Sequence, residues 1–230
     1  MLFRSGHLAH ATEADAAFLG SLGLHTIFDF RNAADIRLEG PDVALDGVTN
    51  VNLPLSDPAD GAGFWRMVRD GDLPTLRELL ADGKGAARMV ASYRSMVRNR
   101  TEEHGRVLRA LAEDSVPALM HCAAGKDRAG LTVAVTLLAL GVERQAIEAD
   151  YLESAAAHRR YKVWRSGDPP RPCPRRSWSC SRRCSTPGSS TWTRPSPRSR
   201  RTGDTERYLT DGLGLLPAQR ERMRARLLTD

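Results

Sequence analysis

The sequence predicts an α/β fold: a mainly parallel central sheet flanked by helices, with a ligand loop between a strand and a buried helix. Two observations predict it. Short apolar segments alternate with stretches of helical periodicity, the pattern of strands joined by crossover helices. In addition, the apolar run Val116 to Met120 leads directly into HCAAGKDRAG (121–130) and then into LTVAVTLLAL (131–140), apolar on all sides. Sheets of this kind bind ligands at the carboxyl ends of their strands.

The elements follow in order. Thr12 can cap a helix whose first turn carries Glu13 and Asp15, whose apolar side is Phe18, Leu19 and Leu22, and which Gly23 ends. HTIFDF (25–30) reads as a buried strand with Asp29 and Arg31 at its carboxyl end, and VTNVNLPL (48–55) as a second strand closed by Pro54. Residues 56–73, rich in Asp, Gly and Pro, read as a loop with a short apolar insert, FWRMV. Pro74 to Leu80 restarts a helix, and Met89, Val90, Tyr93, Met96 and Val97 recur at helical spacing. Thr101 is placed to cap a further helix with Val107, Leu108 and Leu111 on its apolar side. VPALM (116–120) is the third strand. The apolar run 131–140 is a buried helix that Gly141 stops, and Glu143 to Ala157 forms another.

The net charge of +6 suggests a nucleic-acid partner only until it is located. Residues 166–203 hold nine Arg against one acid, Asp168, a surplus of eight, so the remainder carries −2. A near-neutral remainder argues against nucleic acid. Three of the four cysteines, Cys173, Cys180 and Cys184, lie in the same segment, at spacings that match no usual zinc pattern. Cys122 is left as a lone thiol, which suggests a reducing, cytoplasmic compartment. There is neither an 18-residue apolar run for a membrane span nor a secretory h-region after Met1.

The loop after the third strand carries the chemistry. Passing from a buried strand into the first turn of a buried helix points successive N–H groups into one concavity, at the positive end of a helix dipole. Ala123, Ala124 and Gly125 leave room for close approach, and Arg128 offers a planar fork for two phosphate oxygens. The same field favours thiolate over thiol at Cys122, placing a nucleophile beneath a bound phosphoryl group for in-line attack and a phosphocysteine product. A bare C-x5-R would equally describe a structural cysteine near a surface arginine. The flanking strand, the flanking helix and the small intervening residues favour the phosphate cradle.

HCAAGKDRAG resembles the P-loop of protein tyrosine phosphatases, and its GKDR form is similar to the atypical bacterial members. LFRSGHL (2–8), FDFRNAAD (28–35), NLPLSDPAD (52–60) and ADYLES (149–154) extend the resemblance over residues 2–165 and again over 204–230. It implies a protein tyrosine phosphatase-like fold, Cys122 as nucleophile and Arg128 as phosphate clamp. Ala123, Ala124, Gly125, Lys126 and Asp127 complete the binding loop, and no metal or other cofactor is implied. His121 becomes a buried hydrogen-bonding neighbour that holds the loop and tunes the thiol, or a purely structural residue.

Expulsion of a phenoxide, whose conjugate acid has a pKa of about 10, calls for a proton donor on a nearby loop. SDPAD (56–60) offers Asp57 and Asp60. Asp57 follows the second strand closely and matches the family's general acid; the alternative is a solvated turn aspartate beside Pro58. Lys126 has a counterpart in phosphoinositide phosphatases, where added positive charge suits a multiply phosphorylated ring. Lys126 and Asp127 could also be a solvated pair on the loop rim, with Asp127 tying the loop to its neighbours. The expected partner is therefore a phosphorylated protein (phosphotyrosine, phosphoserine or phosphothreonine) or a phosphoinositide. One departure stands out. The family usually carries Thr or Ser after the arginine, and here Ala129 takes that place; loss of that hydroxyl predicts slow breakdown of the phosphocysteine.

Residues 166–203 also contain nine Ser and seven Pro but no Leu, Ile, Val, Met, Phe, Tyr or Ala. The organisation predicted is therefore 1–165 as a phosphatase-like domain, 166–203 as an anomalous, disordered segment, and 204–230 as a C-terminal helical piece of the same domain. A basic linker would account for 166–203, and so would a pair of compensating frameshifts. Codons for Ser190 to Arg200 exist that, read two bases later, give YLDAAFAEIE, an amphipathic helix. Frameshifting would put the last helices, and with them stability, in question. Members of the family also begin with a further N-F-R-D-like turn, so the sequence reads as truncated or as starting from a misassigned Met1. Two other functions compete: a non-catalytic phosphate-binding module, and a rhodanese-like sulfur transferase, which Asp57 and the GKDR residues fit less well.

Overall fold

The computed structural model describes residues 1–57, 62–154 and 202–228. Its centre is a four-stranded, all-parallel sheet in the order β1-β4-β2-β3. The strands are β1 (Leu2–Ser5), β2 (Thr26–Asp29), β3 (Thr49–Asn52) and β4 (Ala118–His121). The register aligns their carboxyl ends, so that Ser5, His121, Asp29 and Asn52 form one row across the sheet. Every residue that follows this row emerges on the same edge.

Strand alternation sorts the core into two faces. Phe3, Ile27 and Leu119 point to one face, where Leu8, Leu19 and Leu24 cover them beneath α1 (Glu13–Gly20). Phe28, Ala118 and Met120 point to the other, against α6 (Thr101–Ala112) and α7 (Asp127–Leu140). Full burial of a Leu or Phe side chain contributes roughly 1.5–3 kcal/mol, so these interleaved rows fix the register. The same alternation governs the chemistry. His121 is in phase with Leu119, and Cys122 is in phase with Met120 and joins the α7-side core.

The predicted elements recur with adjustments. Thr12 caps α1 through a reciprocal capping box with Asp15. The helix read from Pro74 is α4 (Leu73–Leu80), capped by Asp72, and the spacing around Tyr93 becomes α5 (Lys84–Asn99). Thr101 is the first residue of α6 rather than its cap, a place taken by Arg100 without a side-chain bond. α7 begins at Asp127, four residues before the apolar run, and α8 spans Arg144–Glu153. Two helices and a strand go beyond the sequence reading: α2 (Ala33–Glu39), α3 (Ala62–Asp70) and β1. α3 falls in the stretch expected as loop, where its apolar insert forms a helix.

Residues 202–228 complete the fold. α9 (Thr202–Arg207) opens two residues before the boundary drawn at 204 and runs into a π-helical turn, Tyr208–Gly212. α10 (Pro217–Leu227) follows, packing on α6 and α7. Leu209, Leu213, Leu215 and Met223 enter the main core, so this piece is an integral part of it. Arg220 Nε donates to Ala139 O (2.5 Å) and Arg224 Nε to Leu140 O (3.2 Å), satisfying carbonyls at the end of α7. The frameshift reading and Cys173, Cys180 and Cys184 fall outside the described residues, as does Asp60.

Candidate active site

β4 delivers Cys122 to the sheet edge as a free thiol, 2 % exposed, and α7 begins five residues later. The turn between them leans on the end of β1. His7 N–H donates to Ala123 O at 3.1 Å. Gly125 has φ +68°, and a Cβ there would overlap the Ser5 carbonyl oxygen. Glycine at 125 therefore answers to the neighbouring strand, besides leaving space for a ligand.

Arg128 lies in the first turn of α7. Its Nη1 is ion-paired with Asp35 and donates to Phe30 O (3.4 Å) and Ser56 Oγ (3.3 Å). Among the described residues these bonds all run from Nη1, which leaves the Nε–Nη2 edge for a ligand. Burial works against its charge, but Cys122, Asp35 and Asp29 outweigh it and raise the guanidinium above its ordinary range. Arg128 is a permanent cation.

Asp57 is exposed, five residues beyond β3. Its backbone is held by Asn32, whose Nδ2 donates to Ser56 Oγ and to Asp57 O, both at 3.1 Å. Asn32 also caps α2, its Oδ1 accepting from Ala34 N and Asp35 N at 2.9 Å. The α2 N-terminus thus joins Arg128, through Asp35, to the Asp57 segment. Sequence reasoning misses Asn32, Asp35 and Ser56 as functional residues, although FDFRNAAD and NLPLSDPAD contain them.

His121 turns to the other face. Its Nε2 is 3.0 Å from Asp42 Oδ2 and its Nδ1 3.7 Å from Asp29 Oδ1. Arg31, 1 % exposed, completes this cluster with Asp29 (3.0 Å) and Asp42 (2.7 Å). Burial opposes ionisation of Asp42, but His121, Arg31 and the Leu8 N–H prevail and hold its carboxyl below the usual range. Asp29 and Arg31 do stand at the carboxyl end of β2, as expected, but their side chains are engaged in this buried network. Arg31 Nη2 already contacts both carboxylates of the Asp29–Asp42–His121 set, a fixed cation where a metal would have to sit, which argues against a metal there.

Lys126 is exposed, while Asp127 is half-buried. Asp127 Oδ1 accepts from Tyr93 of α5 and, at 3.5 Å, from Tyr151 of α8, and the two phenols also bond each other. Burial first, then these bonds and the Asp127 charge, raise Tyr93 above its ordinary range. Asp127 therefore anchors the loop between two helices, one of the two roles the sequence leaves open for it.

A free thiol at the end of a parallel strand, a tight turn and an arginine in the first turn of the next helix form the arrangement that the sequence reading expects of a cysteine-centred phosphate loop. The chain belongs to the tyrosine phosphatase family, whose model matches residues 1–229. It is 34 % identical over 166 residues to the triple specificity protein phosphatase PtpB of Mycobacterium tuberculosis, covering 66 % of this chain and 60 % of that protein. It is 33 % identical over 153 residues to the "Putative tyrosine-protein phosphatase" of Cupriavidus necator, covering 66 % and 52 %. The matches thus span between half and three-fifths of these relatives' lengths. Both relatives bear phosphatase names, so the comparisons lend no support to the non-catalytic alternative.

Proposed function

We propose that the chain hydrolyses phosphomonoesters, phosphotyrosine foremost, with phosphoserine, phosphothreonine and phosphoinositides as further substrates, through a phosphocysteine. The Cys122 thiolate attacks phosphorus in line. The bond from phosphorus to the ester oxygen breaks, and Asp57 gives its proton to the departing oxygen. Arg128 and the backbone N–H groups of Ala123 to Asp127 hold the equatorial oxygens as charge redistributes. Asp57, now a carboxylate, takes a proton from water; the water oxygen bonds to phosphorus, the S–P bond breaks, and phosphate leaves.

The observation that carries this reading is the placement of Arg128. Arg128, in the first turn of the helix that follows the Cys122 loop, also touches Ser56, the residue before Asp57. Nucleophile, clamp and acid segment converge on one side chain. Exposed Lys126 supports the wider substrate range, which the name of the mycobacterial relative also describes. α5 reaches the loop through Tyr93, and α3 and α4, which pack in series onto α5, would extend the recognition surface from there. The test is hydrolysis of p-nitrophenyl phosphate. Cys122→Ser is expected to abolish turnover, and activity is expected to persist in chelator because no step uses a metal. Undiminished hydrolysis by Cys122→Ser would remove the proposal.

A further inference from the structure

We propose that His7, His10 and Glu39 form a binding site for a zinc-type divalent ion, outside the cysteine loop. Each offers a ligand atom, and the three atoms lie within 4.8 Å of one another. His7 Nε2 is 3.4 Å from Glu39 Oε2, and the two imidazole centroids are 5.2 Å apart at 74°. Tetrahedral zinc with ligand bonds of about 2.0–2.1 Å requires donors about 3.3 Å apart. The His7–Glu39 pair already has that separation, and His10 need move only on the order of an ångström.

Two imidazoles and one carboxylate suit zinc better than magnesium or calcium, and three protein donors leave a position for water. Burial supports the assignment. The His7 and Glu39 side chains are 5 % and 9 % exposed, whereas His10 is at the surface, so an ion enters from the solvent side and His10 closes over it. The frame is built in advance. Leu8 N–H donates to Asp42 Oδ1 at 2.7 Å, and a Cβ at Gly40 would stand 3.7 Å from Ala9 Cβ, so the histidine-bearing turn runs close beside the segment that ends α2. Arg31 Nη1 fixes Gly40 O from below at 3.1 Å.

The contact at His7 Nδ1 must yield. His7 Nδ1 accepts from Ala9 N–H at 3.3 Å, which places the neutral ring's proton on Nε2, facing Glu39. An ion on Nε2 moves that proton to Nδ1 and opens this long hydrogen bond. His7 N–H meanwhile donates to Ala123 O, so a bound ion would brace the turn on which the cysteine loop leans.

The test uses the full chain with all four cysteines changed to serine, so that no thiolate competes. Zinc is titrated by calorimetry and cobalt by visible absorption. The expected result is one ion per chain, a cobalt spectrum without sulfur charge transfer, and a higher Tm with zinc. His10→Ala, at an exposed position, and Glu39→Gln should each weaken binding by at least ~10-fold. Absence of zinc binding, or an affinity unchanged from the parent chain in either variant, overturns the site. Hydrolysis by His10→Ala with its cysteines intact should remain at the unsubstituted level.

Discussion

Asn32 Nδ2 donates to the carbonyl oxygen of Asp57 at 3.1 Å, while its Oδ1 caps α2. The two ends of one amide thus join the acid segment to the helix that supplies Asp35. Asn32→Ser separates the roles, since serine caps about as well but is too short to reach Asp57. With the cap of α2 retained, kcat for aryl phosphate should fall at least ~10-fold, against roughly 10²–10⁴-fold for Asp57→Asn. In the double variant the two losses should not add. Full additivity would mean that Asn32 acts elsewhere.

Ala129, directly after Arg128, is fully buried. One turn further along α7, the Thr132 hydroxyl donates to Arg128 O at 3.1 Å. Breakdown of the phosphocysteine should therefore limit turnover. The chain should release a burst of p-nitrophenol approaching one equivalent before its slower steady state. Ala129→Ser should raise kcat about tenfold, as roughly 1.4 kcal/mol of second-step stabilisation would, and shrink the burst. Linear release from the first turnover would count against this assignment of the slow step.

Gly125 carries two separable demands, positive φ and contact with Ser5. Gly47 has φ +73° and open space where a Cβ would stand, so Gly47→Ala reports the backbone cost alone. That cost is about 1 kcal/mol. Gly125→Ala should cost at least ~2 kcal/mol more, lowering Tm by about 4–8 °C beyond the Gly47 variant. Equal shifts in the two variants would show that β1 and the cysteine loop separate without cost.

The chemistry-bearing loop is legible in the sequence because it is local. Cys122, Arg128 and the strand and helix around them occupy one continuous stretch, and the apolar runs of β2, β4 and α7 are strong. β1 is not, because LFRS is a short edge strand that pairs with β4 alone, with polar Arg4 and Ser5 in half its length. The Asp, Gly and Pro around α3 mark a loop, yet Phe64, Met67 and Val68 already have i, i+3, i+4 spacing. Arg31 shows a different limit. Position along the chain places it at the ligand edge, but only the fold brings Asp42 within 2.7 Å and buries the pair. Asp35, 93 residues from Arg128, is equally invisible to any local pattern.

His104 makes stability depend on pH in a definable window. It is fully buried on α6, with Nδ1 3.5 Å from Thr132 Oγ1. Burial lowers its imidazole to about 4, outweighing the opposing influence of the Glu103 charge and the Met96 backbone. A folded value below the unfolded one means that the unfolded chain binds the proton first. The neutral ring's contribution is therefore complete above about pH 6.5 and is lost as pH falls toward 4, roughly 3 kcal/mol in all and about 2 kcal/mol by pH 5. Asp42, held below its usual range, loses its contribution only at lower pH, so the two windows separate. Guanidinium unfolding at about pH 7 and about pH 5 should show this loss, and His104→Gln, which cannot titrate, should flatten it. An unchanged difference between the two pH values in His104→Gln would assign the pH dependence to another group.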